Sequence, residues 1–277
     1  MVLKKSRISF SNFFYDNHHN GLTLTKAFKL KLDFPLNVYN NILHHGGFIY
    51  DNKFSKLLLR EWVETRHSNQ SVIFKEKKEF FYDESVLHQT SALIIGIWQV
   101  EAYFKDIKNK IWQEFTFNTP SDDKNKALES QIYNSNSISL HVRRGDYLTY
   151  RWSDSHKVIQ DETYYINSIN YLNKRIQNPT YFIFSDDIAW VKANLKIPNC
   201  TFVDYNNGKH SYIDMYLMSI CKHNIIANST FSWWGAWLNK NENKIVIAPE
   251  RWLNSVESPG IFPNDWIKME VDSNIGV

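Results

Sequence analysis

Apolar and polar positions follow two regimes along the chain. From residue 138 onward, short apolar runs alternate with amphipathic stretches, and each run stops at a polar cluster. Ile138, Leu140 and Val142 alternate with Ser139, His141 and Arg143, the period-2 pattern of a strand. Tyr181–Phe184, Thr201–Val203, Asn224–Ala227 and Lys244–Ala248 are expected as further strands. Helical periodicity predicts a helix over Glu162–Ile176, with Tyr165, Ile169, Leu172 and Ile176 on one face and Asp161 as its N-cap. Shorter helices are expected over Ile188–Leu195 and Phe231–Leu238. Another runs to Cys221 from Ser211 and Asp214, which resemble a capping box. Such strand–helix alternation predicts an α/β fold with a parallel, doubly wound sheet in the C-terminal half.

Upstream the pattern is coarser. Leu93–Val100 reads as a buried strand and Glu101–Phe115 as one amphipathic helix with Phe104, Ile107, Ile111 and Phe115 on its stripe. The polar run Pro120–Lys126 begins a connection, with Ser121 or Asp122 placed to cap the helix after it. Residues 1–90 carry aromatic-rich runs, Ile8–Tyr15 and Phe48–Tyr50, broken by Asn, His and Gly, and predict irregular structure with short elements. Two domains are expected, over residues 1–130 and 131–277.

Composition narrows the classes. An apolar fraction of 43% with nine Gly and seven Pro describes an ordinary globular core. The 32 basic and 29 acidic residues nearly balance, which argues against bulk nucleic-acid binding. Two cysteines, Cys200 and Cys221, make no disulfide framework and read as core or near-core thiols. The longest apolar run, Ala92–Trp98, is far too short to span a bilayer. The pairs His18-His19 and His44-His45 lack Cys or carboxylates at ligand spacing and read as surface or loop histidines.

The candidate chemistry stands at strand ends, where ligands bind in parallel sheets. Arg143-Arg144-Gly145-Asp146 follows the strand at 138–142, and two guanidiniums there suit a diphosphate. Pairing with Asp146 is the purely structural alternative. Asn228-Ser229-Thr230, with Ser232, precedes a helix and reads either as an anion site or as a plain N-cap. Asp186-Asp187 suits a divalent cation, a guanine edge or a helix cap. Asp214 partners Ser211 or a ligand. Trp233, Trp234 and Trp237 read as core packing ahead of sugar stacking.

Together these stretches resemble the glycosyltransferase family 11 α-1,2-fucosyltransferases. The resemblance is carried by HVRRGDY at His141–Tyr147, FSDD at Phe184–Asp187, the long run Asp214–Leu238, IAPERW at Ile247–Trp252, and Gly96–Glu101 with Tyr103-Phe104. It implies two Rossmann-like domains of GT-B type. It implies inverting transfer of L-fucose from GDP-β-L-fucose to the 2-hydroxyl of a terminal galactose, on a surface glycan or lipopolysaccharide. It implies no cofactor and no essential metal, which sets aside the metal reading of the Asp pair. Carried over by position, His141, Arg143 and Arg144 hold the donor's diphosphate and nucleoside. Asp186 or Asp187 meets the guanine, and Asn228, Ser229, Thr230 and Ser232 the phosphates. Arg143 and Arg144 act in catalysis, with Asp146 or Glu101 as candidate base. A cytoplasmic location with peripheral contact at the inner membrane face goes with this reading. Family members begin with a strand and a glycine-rich GGLGNQ-type turn, whereas this sequence opens MVLKKSRISFSNFFYD. A truncated first domain is therefore expected, with a catalytically impaired GDP-sugar or glycan-binding remnant as the alternative function.

Overall fold

A computed structural model describes residues 24–29, 72–88, 92–148, 153–159 and 161–271. The histidine pairs and the early aromatic runs lie outside them. In chain order the helices and strands are α1 (Leu24–Ala27), β1 (Val72–Lys75), β2 (Ala92–Ile95), α2 (Lys108–Glu114), α3 (Asp123–Tyr133), β3 (Asn136–Val142), α4 (Ser153–His156), α5 (Thr163–Asn173), β4 (Pro179–Ser185), α6 (Ile188–Asn194), β5 (Cys200–Val203), α7 (Tyr212–Ile220), β6 (His223–Ile225), α8 (Thr230–Trp237), β7 (Val246–Pro249) and β8 (Ile267–Met269).

The last six strands form one parallel sheet in the order β5-β4-β3-β6-β7-β8. Both faces are covered, as parallel sheets require. Ile138, Leu140 and Val142 of β3 join Tyr181 and Ile183 in a core with Tyr164, Tyr165 and Leu172 of α5 and Val191 of α6. Phe182 and Phe184 turn the other way, into a core with Leu128 and Ile132 of α3, Leu217 of α7 and Trp233 and Trp237 of α8. The expected doubly wound sheet is thus present. Sequence periodicity missed β1 and β8, because strands of four and three residues are too short to show a period.

On that second face β3 is polar: Ser137, Ser139 and His141 are all buried. The small serines let side-chain amides stand in for apolar packing. Asn224 donates to Ser139 Oγ at 2.7 Å and to the Met218 carbonyl at 2.9 Å, and Asn239 donates to Asn224 Oδ1 at 2.8 Å. A fully satisfied network of this kind fixes how α7 and α8 sit on the sheet.

The helix expected over Glu101–Phe115 is broken. Two 3₁₀ turns, Glu101–Tyr103 and Lys105–Ile107, precede α2. Phe104 leaves helical geometry at φ −137°, ψ −1°, and its ring stacks on Trp234 at 5.6 Å and meets Trp237 edge-on at 5.2 Å. Docking that ring among the α8 indoles outweighs continuous helix; tertiary packing overrides local periodicity. The expected stripe still points the right way for Phe104, Ile111 and Phe115.

Asp122, not Ser121, caps α3 by accepting from the Asn125 N–H at 2.9 Å. Asn125 and Asn206 exchange two amide hydrogen bonds, and Asn206 donates onward to Asp214 Oδ1 at 2.8 Å. Asp214 is therefore held by the loop ahead of its own helix rather than paired with Ser211, which gives no side-chain cap. It anchors the loop between β5 and α7 to the start of α3. Burial pushes its carboxyl up to about 7, with the Asn206 hydrogen bond pulling the other way. An unfolded Asp titrates near 4, so the folded chain keeps a proton that the unfolded chain has lost across about pH 4–7. Asp214 then contributes its stability on the acid side of that window and loses it as pH rises through 7. Asp214→Asn keeps the acceptor for Asn206 and removes the titration. It is expected to raise the thermal midpoint by several degrees at pH 8 and by nothing near pH 4, read by circular dichroism. An equal shift at both pH values contradicts this.

Candidate donor site at the sheet's switch point

The chain runs β3, β4, β5 outward on one side of β3 and then returns to place β6 on its other side. The carboxyl ends of β3 and β6 therefore part at a topological switch point, where doubly wound sheets bind ligands. The turn Arg143–Asp146 leaves one lip and Ile226–Thr230 the other.

Asp186, just beyond β4, builds the first lip. Its carboxylate accepts from the backbone N–H of Arg144 at 2.9 Å and of Gly145 at 3.1 Å. Arg143 Nη1 pairs with it at 3.1 Å, and Arg143 Nε pairs with Asp146 at 2.9 Å. Arg144 Nε meets Asp187 at 3.3 Å, while its guanidinium lies 4.0 Å from the Trp190 ring centroid. Asp187 also caps α6, accepting from the Trp190 N–H at 3.0 Å. The structural and functional roles of these charges therefore coexist. Each guanidinium has five donors in a fixed fork and gives the carboxylates only part of it. The desolvating surroundings lower the Arg143 pKa, but its carboxylate partners outweigh them and hold it above the ordinary value.

His141 lies one residue inside the sheet from this turn. It is 5% exposed, and its Nδ1 is buried without a hydrogen-bond partner. Burial first, and the Arg143 charge second, push its pKa down to about 3. At neutral pH it is thus an uncharged hydrogen-bonding group rather than a cation. Its ring lies 5.8 Å from Phe231 in the first turn of α8. No side chain caps α8, so its first-turn N–H groups keep the positive end of the helix open. An uncapped helix start and an orphaned buried imidazole meet at one place, the arrangement an anionic, hydrogen-bonding ligand completes.

The second lip is braced from behind. Asn228, 3% exposed, donates to the carbonyls of His156 at 2.8 Å and Trp252 at 3.1 Å, and its own carbonyl accepts from Tyr147 Oη at 3.0 Å. Ser232 is fully buried and donates to the Ser229 carbonyl at 3.2 Å. Asn228 and Ser232, expected as phosphate ligands, hold the loop instead, and Ser229 is buried as well. The side chain of Thr230 is the exposed one of the group. Sequence reading missed Tyr147, Trp190 and Trp252, since nothing in their spacing marks a contact across the sheet. Glu101 is set aside as a base: Oε1 accepts from Trp237 Nε1 at 2.8 Å, at the far end of α8 from the crevice. Among the described residues no three His, Cys, Asp or Glu side chains converge as metal ligands.

A comparison with protein families matches residues 41–270 to glycosyl transferase family 11. The chain belongs to that family. The family 11 resemblance of the HVRRGDY, FSDD and Asp214–Leu238 stretches is therefore real. An Escherichia coli alpha-1,2-colitosyltransferase is 35% identical over 263 residues, covering 87% of this chain and 89% of that protein. The E. coli O-antigen biosynthesis glycosyltransferase WbnK is 40% identical over 137 residues, 49% of this chain and 45% of its own. The Sus scrofa galactoside alpha-(1,2)-fucosyltransferase 2 is 24% identical over 181 residues, 61% and 53% respectively. The chain thus spans most of the first relative and about half of the other two. This family 11 chain is a fucosyltransferase-like glycosyltransferase.

Gly145 is there because Asp186 comes so close. A Cβ at 145 would stand 2.8 Å from Asp186 Oδ2 and 3.3 Å from Cγ. Gly145→Ala is expected to cost about 1–3 kcal/mol, measured by urea unfolding. In an Asp186→Ala background the same change is expected to cost less than half as much. Equal costs in the two backgrounds contradict the steric account.

Proposed function

We propose that the chain is an inverting transferase that moves L-fucose from GDP-β-L-fucose to the 2-hydroxyl of a terminal galactose on a surface glycan or lipopolysaccharide. The observation that carries this reading is the switch-point crevice, where two carboxylate-braced arginines stand across from an uncapped helix start and a neutral buried histidine. The donor's diphosphate lies between Arg143 and the first turn of α8. The acceptor oxygen attacks the anomeric carbon from the face opposite the diphosphate, and the bond from that carbon to the β-phosphate oxygen breaks. The bonding pair leaves with GDP, and the arginines stabilise the negative charge that grows there. The acceptor's proton passes to a base, for which Asp146 is the candidate at the crevice.

Residues 131–277 are the donor half and residues 1–130 the acceptor half of a GT-B arrangement. Guanine recognition falls to Asp187 ahead of Asp186. Asp186 has taken three donors, whereas each Asp187 oxygen has taken one and keeps acceptor capacity. The chemistry runs without an essential metal, a reading supported by the engagement of both carboxylates by arginines. The chain works on the cytoplasmic side, in peripheral contact with the membrane; no helix among the described residues is long and apolar enough to cross one.

A second donor is favoured by one observation, the 35% identity to the alpha-1,2-colitosyltransferase. Turnover of GDP-fucose and GDP-colitose side by side, with a galactoside acceptor, separates the two. Arg143→Ala is expected to lower kcat/KM at least about 100-fold while the unfolding transition is kept. Transfer at the parent rate sinks the role of that arginine. Activity in EDTA is expected to match activity without it; strict recovery by Mn²⁺ contradicts the metal-free reading.

A further inference from the structure

The carboxyl ends of β1 and β2 also carry an unusual cluster. These strands pair in parallel, and Glu76 follows one directly while Gly96–Trp98 follows the other. Glu76 Oε2 accepts from the backbone N–H of Ile97 at 2.7 Å and of Trp98 at 3.2 Å. Trp98 is held at φ +56°, a left-handed conformation costly for a bulky residue, and such strain persists where surrounding structure imposes it. Two buried polar atoms here have no hydrogen-bond partner: Glu76 Oε1 and Trp98 Nε1. A Cβ on Gly96 would stand 2.5 Å from Glu76 Cβ, 2.7 Å from Glu76 Oε2 and 2.8 Å from Trp98 Nε1, so glycine lets the Glu76 side chain and the indole N–H close in on the same stretch of backbone. A side chain at 96 would collide with both.

Aromatic faces extend from this point. Trp98 meets Tyr103 at 5.5 Å, and Tyr103 meets Tyr82 at 5.0 Å, with Tyr82 45% exposed. A cavity of about 270 Å³ opens at the Glu76 and Tyr82 side of this cluster, lined also by Lys77, Lys78, Phe81, Asp83 and Glu84. Its wall is docked on the connection leaving β7. Gly260 N–H donates to the Phe80 carbonyl at 2.9 Å, and Lys78 pairs with Glu257 at 3.4 Å.

We propose that this cluster is a carbohydrate subsite in which Glu76 and the Trp98 N–H take hydroxyls of a hexopyranose of the acceptor glycan and Tyr82 takes its apolar face. A hydroxyl donates and accepts at once, so one kind of group satisfies both the lone carboxylate oxygen and the lone indole donor. The C–H face of a pyranose suits an exposed phenol ring. Three carboxylates against two ammonium groups around the cavity disfavour a phosphate. The assignment to the acceptor rests on the proposed transferase reading.

Trp98→Phe keeps an aromatic ring and removes the donor; Glu76→Gln keeps an oxygen for the two backbone N–H groups and removes the charge. Calorimetry of the full chain with lactose and with galactosyl-β-1,3-N-acetylglucosamine reads binding directly, and initial rates read KM. Each variant is expected to weaken sugar binding, and to raise acceptor KM, by about five- to fifty-fold. Donor KM is expected to stay within about twofold. The thermal midpoint of Trp98→Phe is expected to hold or rise, because an orphaned donor has gone. Unchanged sugar affinity in both variants, a purely structural loss of stability, or no sugar binding by the parent chain overturns the subsite. A parent chain that binds sugar through these residues but turns over no GDP-sugar keeps the subsite and overturns the transferase reading.

Discussion

The site depends on one carboxylate. Asp186 stands beyond β4 and binds the backbone of the turn that leaves β3, and in the same place pairs with the Arg143 side chain. Without those bonds the turn has no reason to fold over the crevice, since Gly145 offers no side chain to direct it. With them, two guanidiniums are aimed before any ligand arrives. Arginine is well suited to this double duty, because its fork can serve a carboxylate on one edge and a phosphate on another.

The arrangement trades stability for readiness. A neutral histidine with an orphaned nitrogen, a helix start without a cap, and a strained tryptophan are each unfavourable in the free chain. The surrounding packing holds them in place. Behind the crevice Asn228 ties three segments together. Beneath it the Asn224–Asn239 pair and the indole cluster of α8 lock the helices to the sheet. The histidine, the helix start and the tryptophan all stand at or just beyond the carboxyl ends of strands.

Much of this was readable from the residues. Strands β3 to β7 announce themselves because each is a short run stopped by a polar cluster, and those clusters mark the carboxyl ends. The Arg143-Arg144 and Asp186-Asp187 pairs were correctly placed together by that logic alone. What stayed hidden was direction. Asn228 and Ser232 are polar and sit at the right strand end, yet their side chains turn inward to carbonyls. Phe104 broke a well-patterned helix because its ring found three indoles far along the chain. Asp214 looked like a cap and became a half-buried anchor, because Asn206 reaches it from another loop. None of these choices leaves a trace in local spacing; each depends on what tertiary structure brings alongside.

The most direct test of the account is a crystal structure of the full chain soaked with GDP. The account predicts the diphosphate within hydrogen-bond distance of the Arg143 or Arg144 guanidinium and of the first-turn N–H groups of α8, with the Asp186 contacts to residues 144 and 145 intact. Well-ordered GDP bound anywhere else, with the β3–β6 crevice empty, would contradict it.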